Sequence, residues 1–232
     1  MFLSNQLDIC DYFPAGINDF GLLLKGASLE KLADYNTKFN HCFIVSDFDD
    51  ELAQIGGLIA GKEITHFTNR SIQARLSKDN YLKYKIRNIQ LGQVFRVNHF
   101  RLMQTFLCYK AMRIGLKIYS LPERLLDYHV QFGDEYALKF PNTGMLSFLY
   151  ALKMIKPKRL WVFGMDFYSS PYMVDQKTQP LTIGLQQQMD KLERLNLHGW
   201  AVNIIESSPD TEVQMCSYYD GWPKIKRLRL LE

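Results

Sequence analysis

Short apolar runs alternate along the chain with longer amphipathic segments, a pattern that is typical of parallel strands joined by helices. Runs rich in branched and aromatic residues predict strands at residues 20–24, 42–45, 64–68, 89–95, 116–121, 159–163 and 200–205. Apolar residues at helical spacing predict helices at residues 99–114, 144–155 and 184–195, and a final helix in the tail 223–231. We therefore expect an α/β fold: a single Rossmann-like domain over residues 1–232, with a mostly parallel sheet flanked by helices.

The composition is that of an ordinary globular domain. Of the 232 residues, 47% are hydrophobic and 22% are charged, and a domain of this length buries roughly 70% of its unfolded surface without help from metals or disulfides. The four cysteines lie far apart and lack zinc-binding spacing, so we expect buried free thiols. The net charge of +4 is too small to indicate a nucleic-acid partner.

The two ends of the chain bear on its location. The first residues lack the basic and apolar regions of a signal peptide, and no segment reaches the ~20 apolar residues of a membrane span. We therefore expect a cytoplasmic protein. The basic and apolar residues of the tail would suit peripheral contact with the anionic inner face of a membrane. A final helix that docks its leucines on the core explains the same composition.

Two turns can bind an anion, because ligands of open α/β sheets bind beyond the carboxyl ends of the strands. After the first strand, Gly26, Ala27 and Ser28 form a turn of small residues whose amides can approach an anion. At the start of the 144–155 helix, Thr143 and Gly144 can seat a phosphate or carboxylate in the same way. In both places an ordinary helix cap accounts for the same residues.

The segment after the 159–163 strand places Asp166 close to two tyrosines, Tyr168 and Tyr172. Tyrosine hydroxyls that face a leaving phosphate stabilise the charge that develops on it, and they do so without a metal. A packed aromatic corner, with Asp166 as a turn residue, is the structural alternative.

Asp47 and Asp49 form a D-x-D pair directly after the second strand. Such a pair can hold a divalent metal against a diphosphate, although Asp49 and Asp50 equally fit the acidic first turn of the next helix. The five histidines lack the spacings of known metal centres, and the chain contains neither a dinucleotide fingerprint nor a P-loop nor a hydrolase elbow. We therefore predict no metal and no other cofactor.

Taken in chain order, these pieces resemble the sialyltransferases, especially the bacterial lipooligosaccharide sialyltransferases of glycosyltransferase family 42. Residues 26–29 (Gly-Ala-Ser-Leu) are similar to that family's Gly-Pro-Ser-Leu, and residues 67–69 (Phe-Thr-Asn) to its Phe-Tyr-Asn. Residues 142–144 (Asn-Thr-Gly) resemble its Thr-Ser-Gly and the Thr-Thr-Gly of the animal enzymes. Residues 164–168 (Gly-Met-Asp-Phe-Tyr) differ by one substitution from its Gly-Ile-Asp-Phe-Tyr.

The resemblance implies a metal-independent transfer of sialic acid or a related acidic sugar from a CMP-activated donor to a glycan or glycolipid acceptor. Under it, the nucleotide site would be lined by Gly26, Ala27, Ser28, Asp47, Asn69, Thr143 and Gly144. Tyr168 and Tyr172 would assist the departure of the phosphate.

The chain also departs from the family pattern. Lys25 stands where the family has an asparagine, and the family's lid is reduced to the short interval 174–188, which contains no histidine. Leu185 falls at the position of the family's general base. The acceptor hydroxyl still needs a base, and a carboxylate with a tuned pKa can serve as one.

Asp166 or Asp47 can serve as this base if it lies within hydrogen-bond reach of the acceptor, whereas His198, just before the last predicted strand, is expected to lie too far away. Two alternatives to the leading hypothesis stay open. One is a metal-dependent transferase of UDP- or GDP-sugars that uses Asp47 and Asp49. The other is a non-catalytic relative that binds a nucleotide or a glycan.

Overall fold

The computed structural model of the chain describes residues 16–45, 49–68, 77–90, 143–170 and 197–232. Its strands are β1 (Asp19–Leu23), β2 (His41–Ile44), β3 (Glu63–Thr68), β4 (Arg87–Gln90), β5 (Arg159–Phe163), β6 (Glu212–Cys216) and β7 (Leu228–Leu230). Its α-helices are α1 (Leu32–Tyr35), α2 (Asp49–Ile59), α3 (Lys78–Lys83), α4 (Thr143–Tyr150) and α5 (Leu197–Glu206). Two 3₁₀ segments, Ala27–Lys31 and Asn36–Lys38, flank α1, and a π-helical turn, Ala151–Ile155, extends α4.

The described strands form one parallel sheet in the order β4-β3-β2-β1-β5-β6-β7. From β1 the chain adds strands outward on one side to β4, and from β5 it adds strands outward on the other side to β7. The order therefore reverses between the neighbours β1 and β5, at the centre of the sheet. This architecture confirms the predicted α/β class and is Rossmann-like, with a parallel sheet flanked by helices.

Helices cover both faces of this sheet. On one face, side chains of α1 and α2 join alternate residues of β1, β2 and β5 in a buried cluster that includes Leu32, Leu52, Ile55, Leu23, Ile44 and Phe163. On the other face, α4 and α5 pack against the intervening strand residues in a cluster that includes Phe148, Leu149, Trp200, Ile204, Leu22 and Val162. Because both faces are buried, the central strands consist of nearly continuous apolar runs.

Most element predictions within the described segments are confirmed. The strands predicted at 20–24, 42–45, 64–68 and 159–163 match β1, β2, β3 and β5 to within one residue at each end, and the helix predicted at 144–155 matches α4 with its π-helical turn. The cysteines of the described segments, Cys42 and Cys216, are free and buried as expected. The predicted helices at 99–114 and 184–195 and the predicted strand at 116–121 lie outside the described residues.

The strand predicted at residues 200–205 is wrong, because this segment lies within helix α5. Its buried residues recur at helical spacing: Leu197, Trp200, Ala201, Ile204 and Ile205. The short apolar run was ambiguous between the two structures, as such runs are when their length alone is considered. The strand that follows β5 in the sheet is instead β6, whose apolar residues alternate with Glu212 and Gln214.

The final helix predicted in the tail is also wrong. Residues 221–227 form a loop and turn, and Leu228–Leu230 add β7 to the edge of the sheet. The apolar side chains of Trp222, Ile225 and Leu228 pack on the core, whereas Leu230 is exposed next to Arg229, the basic residue of the edge strand. Within the part of the chain that the structure describes, none of the helices has the length and apolar character needed to cross a membrane.

Candidate functional site

The candidate site lies at the carboxyl edge of the sheet, where the loops that follow β1 and β5 leave for opposite faces. Leu23 and Phe163, the last residues of these strands, are partners in the sheet. Ligands of doubly wound folds bind at such a reversal of strand order. The predicted site residues Gly26, Ala27 and Ser28 follow β1, and Asp166 and Tyr168 follow β5, so the fold brings these two groups together.

Asp166 is the centre of this region and is only 2% exposed. Its Oδ2 accepts hydrogen bonds from the Ser28 amide at 2.9 Å and the Ser170 hydroxyl at 2.7 Å. Its Oδ1 accepts from the Tyr218 amide at 3.0 Å and lies 2.5 Å from the Ser28 hydroxyl. We call Asp166 with Ser28, Ser170 and Tyr218 the Asp166 cluster.

Ser28 extends the Asp166 cluster to β6. Its hydroxyl oxygen accepts a hydrogen bond from the Gly164 amide at 3.0 Å and lies 2.9 Å from the carbonyl oxygen of Cys216. A serine hydroxyl has one hydrogen, so it donates either to this carbonyl or to Asp166 at any moment. The ends of β1, β5 and β6 are therefore joined by one buried hydroxyl and one buried carboxylate.

Two glycines allow this close approach. The Gly26 amide donates to the Gly164 carbonyl at 3.0 Å. A Cβ atom at Gly26 would lie 2.4 Å from Oδ2 of Asp166, and one at Gly164 would lie 2.9 Å from the Gly26 nitrogen. Gly164 also has φ of +78°, a left-handed backbone that favours glycine. Both positions therefore exclude a side chain.

These contacts bear on two predicted roles. The amides of Gly26 and Ser28, which the sequence suggests for an anionic ligand, donate to groups of the protein itself. The Asp166 carboxylate has partners on both oxygens and almost no exposure, which disfavours proton transfer with an acceptor. The proposed role of Asp166 as a base stays a prediction, and its contacts favour a structural role.

The loop after Asp166 is strained. Phe167 and Tyr168 both have positive φ, at +46° and +61°, and the Ser169 amide closes the turn by donating to the Asp166 carbonyl at 2.9 Å. This is the arrangement of a type I′ turn, in which glycine or asparagine normally occupies the two central positions. Each such residue costs on the order of 1–3 kcal/mol, and such strain tends to occur at functional sites.

An aromatic cluster of Phe167, His198, Tyr219 and Trp222 holds one side of this turn. The ring centre of Phe167 lies 5.8 Å from that of His198, 5.2 Å from Tyr219 and 5.3 Å from Trp222. Phe167 and Trp222 are buried, whereas His198 and Tyr219 are half-buried. The cluster links the loops that follow β5 and β6 to the beginning of α5.

The expectation that His198 lies too far from this loop is therefore wrong. It followed from the predicted strand at 200–205, whereas His198 is the second residue of α5 and packs against Phe167. Desolvation lowers the pKa of His198 below the usual value of histidine, so its imidazole is neutral at pH 7. Its Nε2 is buried, and no described residue forms a hydrogen bond with it.

The acidic start of α2 has structural contacts. Asp49, Asp50 and Glu51 form the first turn of α2, as the helix-dipole interpretation predicts. Oδ1 of Asp49 accepts from the Ser77 amide and the Asn80 side chain, both at 2.8 Å. The hydrogen bond from the Ser77 amide is the main reason that the pKa of Asp49 is lowered.

Lys25 follows β1 and forms an ion pair with Glu51, with Nζ and Oε2 separated by 3.4 Å. Glu51 is almost fully buried, so this pair joins the loop after β1 to the start of α2. Of the described residues, no three His, Cys, Asp or Glu side chains lie close enough together to hold a metal ion.

The structure describes only some of the remaining predicted site residues. Asp47, Asn69 and Tyr172 lie outside the described residues. Thr143 is the first described residue of α4, and Gly144 is half-buried, with its carbonyl accepting from the Ser147 hydroxyl at 2.8 Å. Sequence reasoning missed the contacts that Tyr218 and the Cys216 carbonyl make in this site, because β6 itself was not predicted.

Comparisons with known proteins add no relative: no protein family, no curated protein and no solved structure matches this chain. The fold and the geometry of the carboxyl edge are therefore the observations from which a function is inferred.

We expect Gly26→Ala to destabilise the protein, because its Cβ would overlap Oδ2 of Asp166 and the Gly164 carbonyl. Overpacking of this kind costs about 1–3 kcal/mol in the free energy of unfolding, which urea denaturation measures. Gly57→Ala is the matched control: Gly57 lies in α2 with nothing within 4 Å of the added Cβ. It should stabilise by about 0.5–1 kcal/mol. Equal effects of the two substitutions would contradict the close contact at Gly26.

Proposed function

We propose that this protein transfers sialic acid or a related acidic sugar from a CMP-activated donor to a glycan acceptor, without a metal ion. The observation that carries the proposal is the packing of His198 against Phe167, the residue before Tyr168, at the reversal of strand order, where doubly wound folds bind their ligands. Tyr168 lies in the strained turn and is half-buried, and His198 packs against the neighbouring residue of that turn. The choice of a CMP-activated acidic sugar as the donor rests on the resemblance of motifs in residues 21–205 to those of the sialyltransferases.

His198 is the general base in this proposal, in place of Asp166 or Asp47. The lowered pKa keeps the imidazole neutral and able to accept a proton at physiological pH. Asp166 is disfavoured as the base because it is only 2% exposed and has partners on both oxygens, whereas the His198 side chain is half-buried. This choice also removes the reason for a non-catalytic interpretation, which was the missing histidine.

The chemistry then divides between two groups. The imidazole of His198 takes the proton of the acceptor hydroxyl, whose oxygen bonds to the anomeric carbon of the sugar. The bond from that carbon to the phosphate oxygen breaks, and its electron pair leaves with CMP. The hydroxyl of Tyr168, assisted by Tyr172, donates a hydrogen bond to the leaving oxygen and stabilises its charge.

CMP should stabilise the protein against thermal unfolding, with or without manganese, because a ligand that binds only the folded state raises its stability. At a concentration about 100 times Kd, the expected gain is about 2.7 kcal/mol. UDP and GDP serve as matched controls and should give smaller shifts. Stabilisation by UDP or GDP only when manganese is present would favour the metal-dependent alternative, and no shift with any nucleotide would contradict nucleotide binding.

Tyr168→Phe should lower kcat for transfer by about 10²-fold while leaving the Kd for CMP nearly unchanged, because it removes one hydrogen bond to the leaving oxygen. Calorimetry with CMP and single-turnover transfer assays separate the two effects. Tyr35→Phe is the control, since Tyr35 stacks on Trp161 at 5.9 Å on the face covered by α1 and α2. Unchanged transfer by the Tyr168 variant would remove this tyrosine from the mechanism.

The pH profile of transfer should report His198. The neutral imidazole is the active form, so kcat/KM should rise with pH through a midpoint below the usual pKa of histidine and stay level above pH 7. His198→Asn should abolish this acidic limb and lower the rate by about 10²–10⁴-fold. His41→Asn, at the amino end of β2, should keep the original profile. An acidic limb that persists in the His198 variant would assign the base to another group.

A further inference from the structure

We propose that Asp166 is a positioning residue, which holds Tyr168 at the carboxyl edge of the sheet by closing the left-handed turn and anchoring it to two other loops. The consequence of this role for transfer rests on the proposed function, whereas the role itself is a property of the fold. It differs from the base predicted for Asp166 in that the carboxylate never exchanges a proton with a substrate.

The turn needs an external restraint because its backbone is unfavourable. Two consecutive aromatic residues, Phe167 and Tyr168, have left-handed φ, a conformation that such residues rarely adopt unless the surrounding structure requires it. The two serines that follow these residues in the chain donate hydrogen bonds back to Asp166. Its carbonyl accepts from the amide and hydroxyl of Ser169 at 2.9 and 2.5 Å, and its carboxylate accepts from the Ser170 hydroxyl at 2.7 Å.

The other hydrogen bonds of the Asp166 carboxylate attach this closed turn to distant parts of the chain. Ser28, 138 residues earlier in the chain, donates its amide to Oδ2, and Tyr218, 52 residues later, donates its amide to Oδ1. The Tyr218 hydroxyl also donates to Glu30, in the 3₁₀ segment that begins beside Ser28. A displacement of Asp166 would therefore release the turn from the loops after β1 and β6 at once.

Asparagine at position 166 tests the role without changing the volume of the side chain. Its amide has one oxygen and one NH₂ group, whereas both aspartate oxygens accept from a backbone amide. Whichever way the amide is turned, its NH₂ group faces the N–H of either Ser28 or Tyr218. One of the two anchors must therefore break.

The experiment places 3-fluorotyrosine at position 168 of the full chain and records its ¹⁹F resonance. In the otherwise unchanged protein we expect a single resonance displaced from that of the urea-unfolded chain. Asp166→Asn should move this resonance toward the unfolded position, and Ser28→Ala should move it in the same direction although Ser28 is remote in sequence. The double variant should shift less than the sum of the two. Asp220→Asn, at an exposed position in the loop after β6, is the control and should leave it in place.

The outcomes are separable from those of the proposed function. An unchanged resonance in both variants, with circular dichroism showing a folded chain, overturns the positioning role; if the Asp166 variant does not fold, Ser28→Ala decides. A shifted resonance in a protein that neither binds CMP nor transfers sugar supports the positioning role while the proposed function fails. In an active protein, Asp166→Asn should lower kcat by up to about 10²-fold with little change in KM, as a displaced catalytic group does.

Discussion

The hydrogen bonds between Ser28 and the Asp166 carboxylate join the two halves of the sheet at the point where its strand order reverses. The loops after β1 and β5 belong to connections on opposite faces, so the fold itself tends to separate them and open a crevice. A buried carboxylate is costly unless hydrogen bonds replace its hydration. Here both of its oxygens have protein partners, which makes the charge tolerable and makes its position specific.

These hydrogen bonds constrain the two glycines, the turn and the helix that lie around Asp166. Because Asp166 reaches Ser28 directly, residue 26 must be glycine, and the close approach of the loops after β1 and β5 requires glycine at residue 164 as well. The loop after Asp166 turns sharply within two residues. The sharp turn places Phe167 in the aromatic cluster, and that cluster in turn brings the beginning of α5 to the same edge of the sheet. His198 thus reaches the candidate site through packing rather than through its place in the sequence.

The central part of the fold could be predicted from the sequence because its signal is local. Strands that are buried on both faces are continuous apolar runs, and the α4 segment is a longer run of apolar residues that the structure buries. α5 could not be separated from a strand in this way, because its short apolar run satisfied both interpretations until the spacing of Leu197, Trp200 and Ile204 was considered. Because of that one error, β6 was not predicted and His198 was expected to precede a strand instead of lying at the beginning of α5.

The candidate site was predictable only in part, for a different reason. Gly26, Ser28, Asp166 and Tyr168 were identified because ligand-binding residues of such folds follow strands, and the fold does bring them to one edge. What local sequence cannot show is which of them bind one another. The amide of Ser28 looks the same in sequence whether it faces a phosphate or a carboxylate 138 residues away.

The use of these amides by Asp166 constrains the proposed chemistry. An amide that already donates to a carboxylate gives little to a phosphate, and a fixed negative charge nearby opposes a second one. In the proposed metal-independent transfer, charge on the departing phosphate must therefore be stabilised by groups outside the Asp166 cluster. A tyrosine in the turn that Asp166 closes is such a group, since a phenol donates a hydrogen bond while adding no charge of its own. In the proposed transfer, the carboxylate that occupies the turn after β1 therefore leaves the stabilisation of the leaving phosphate to Tyr168.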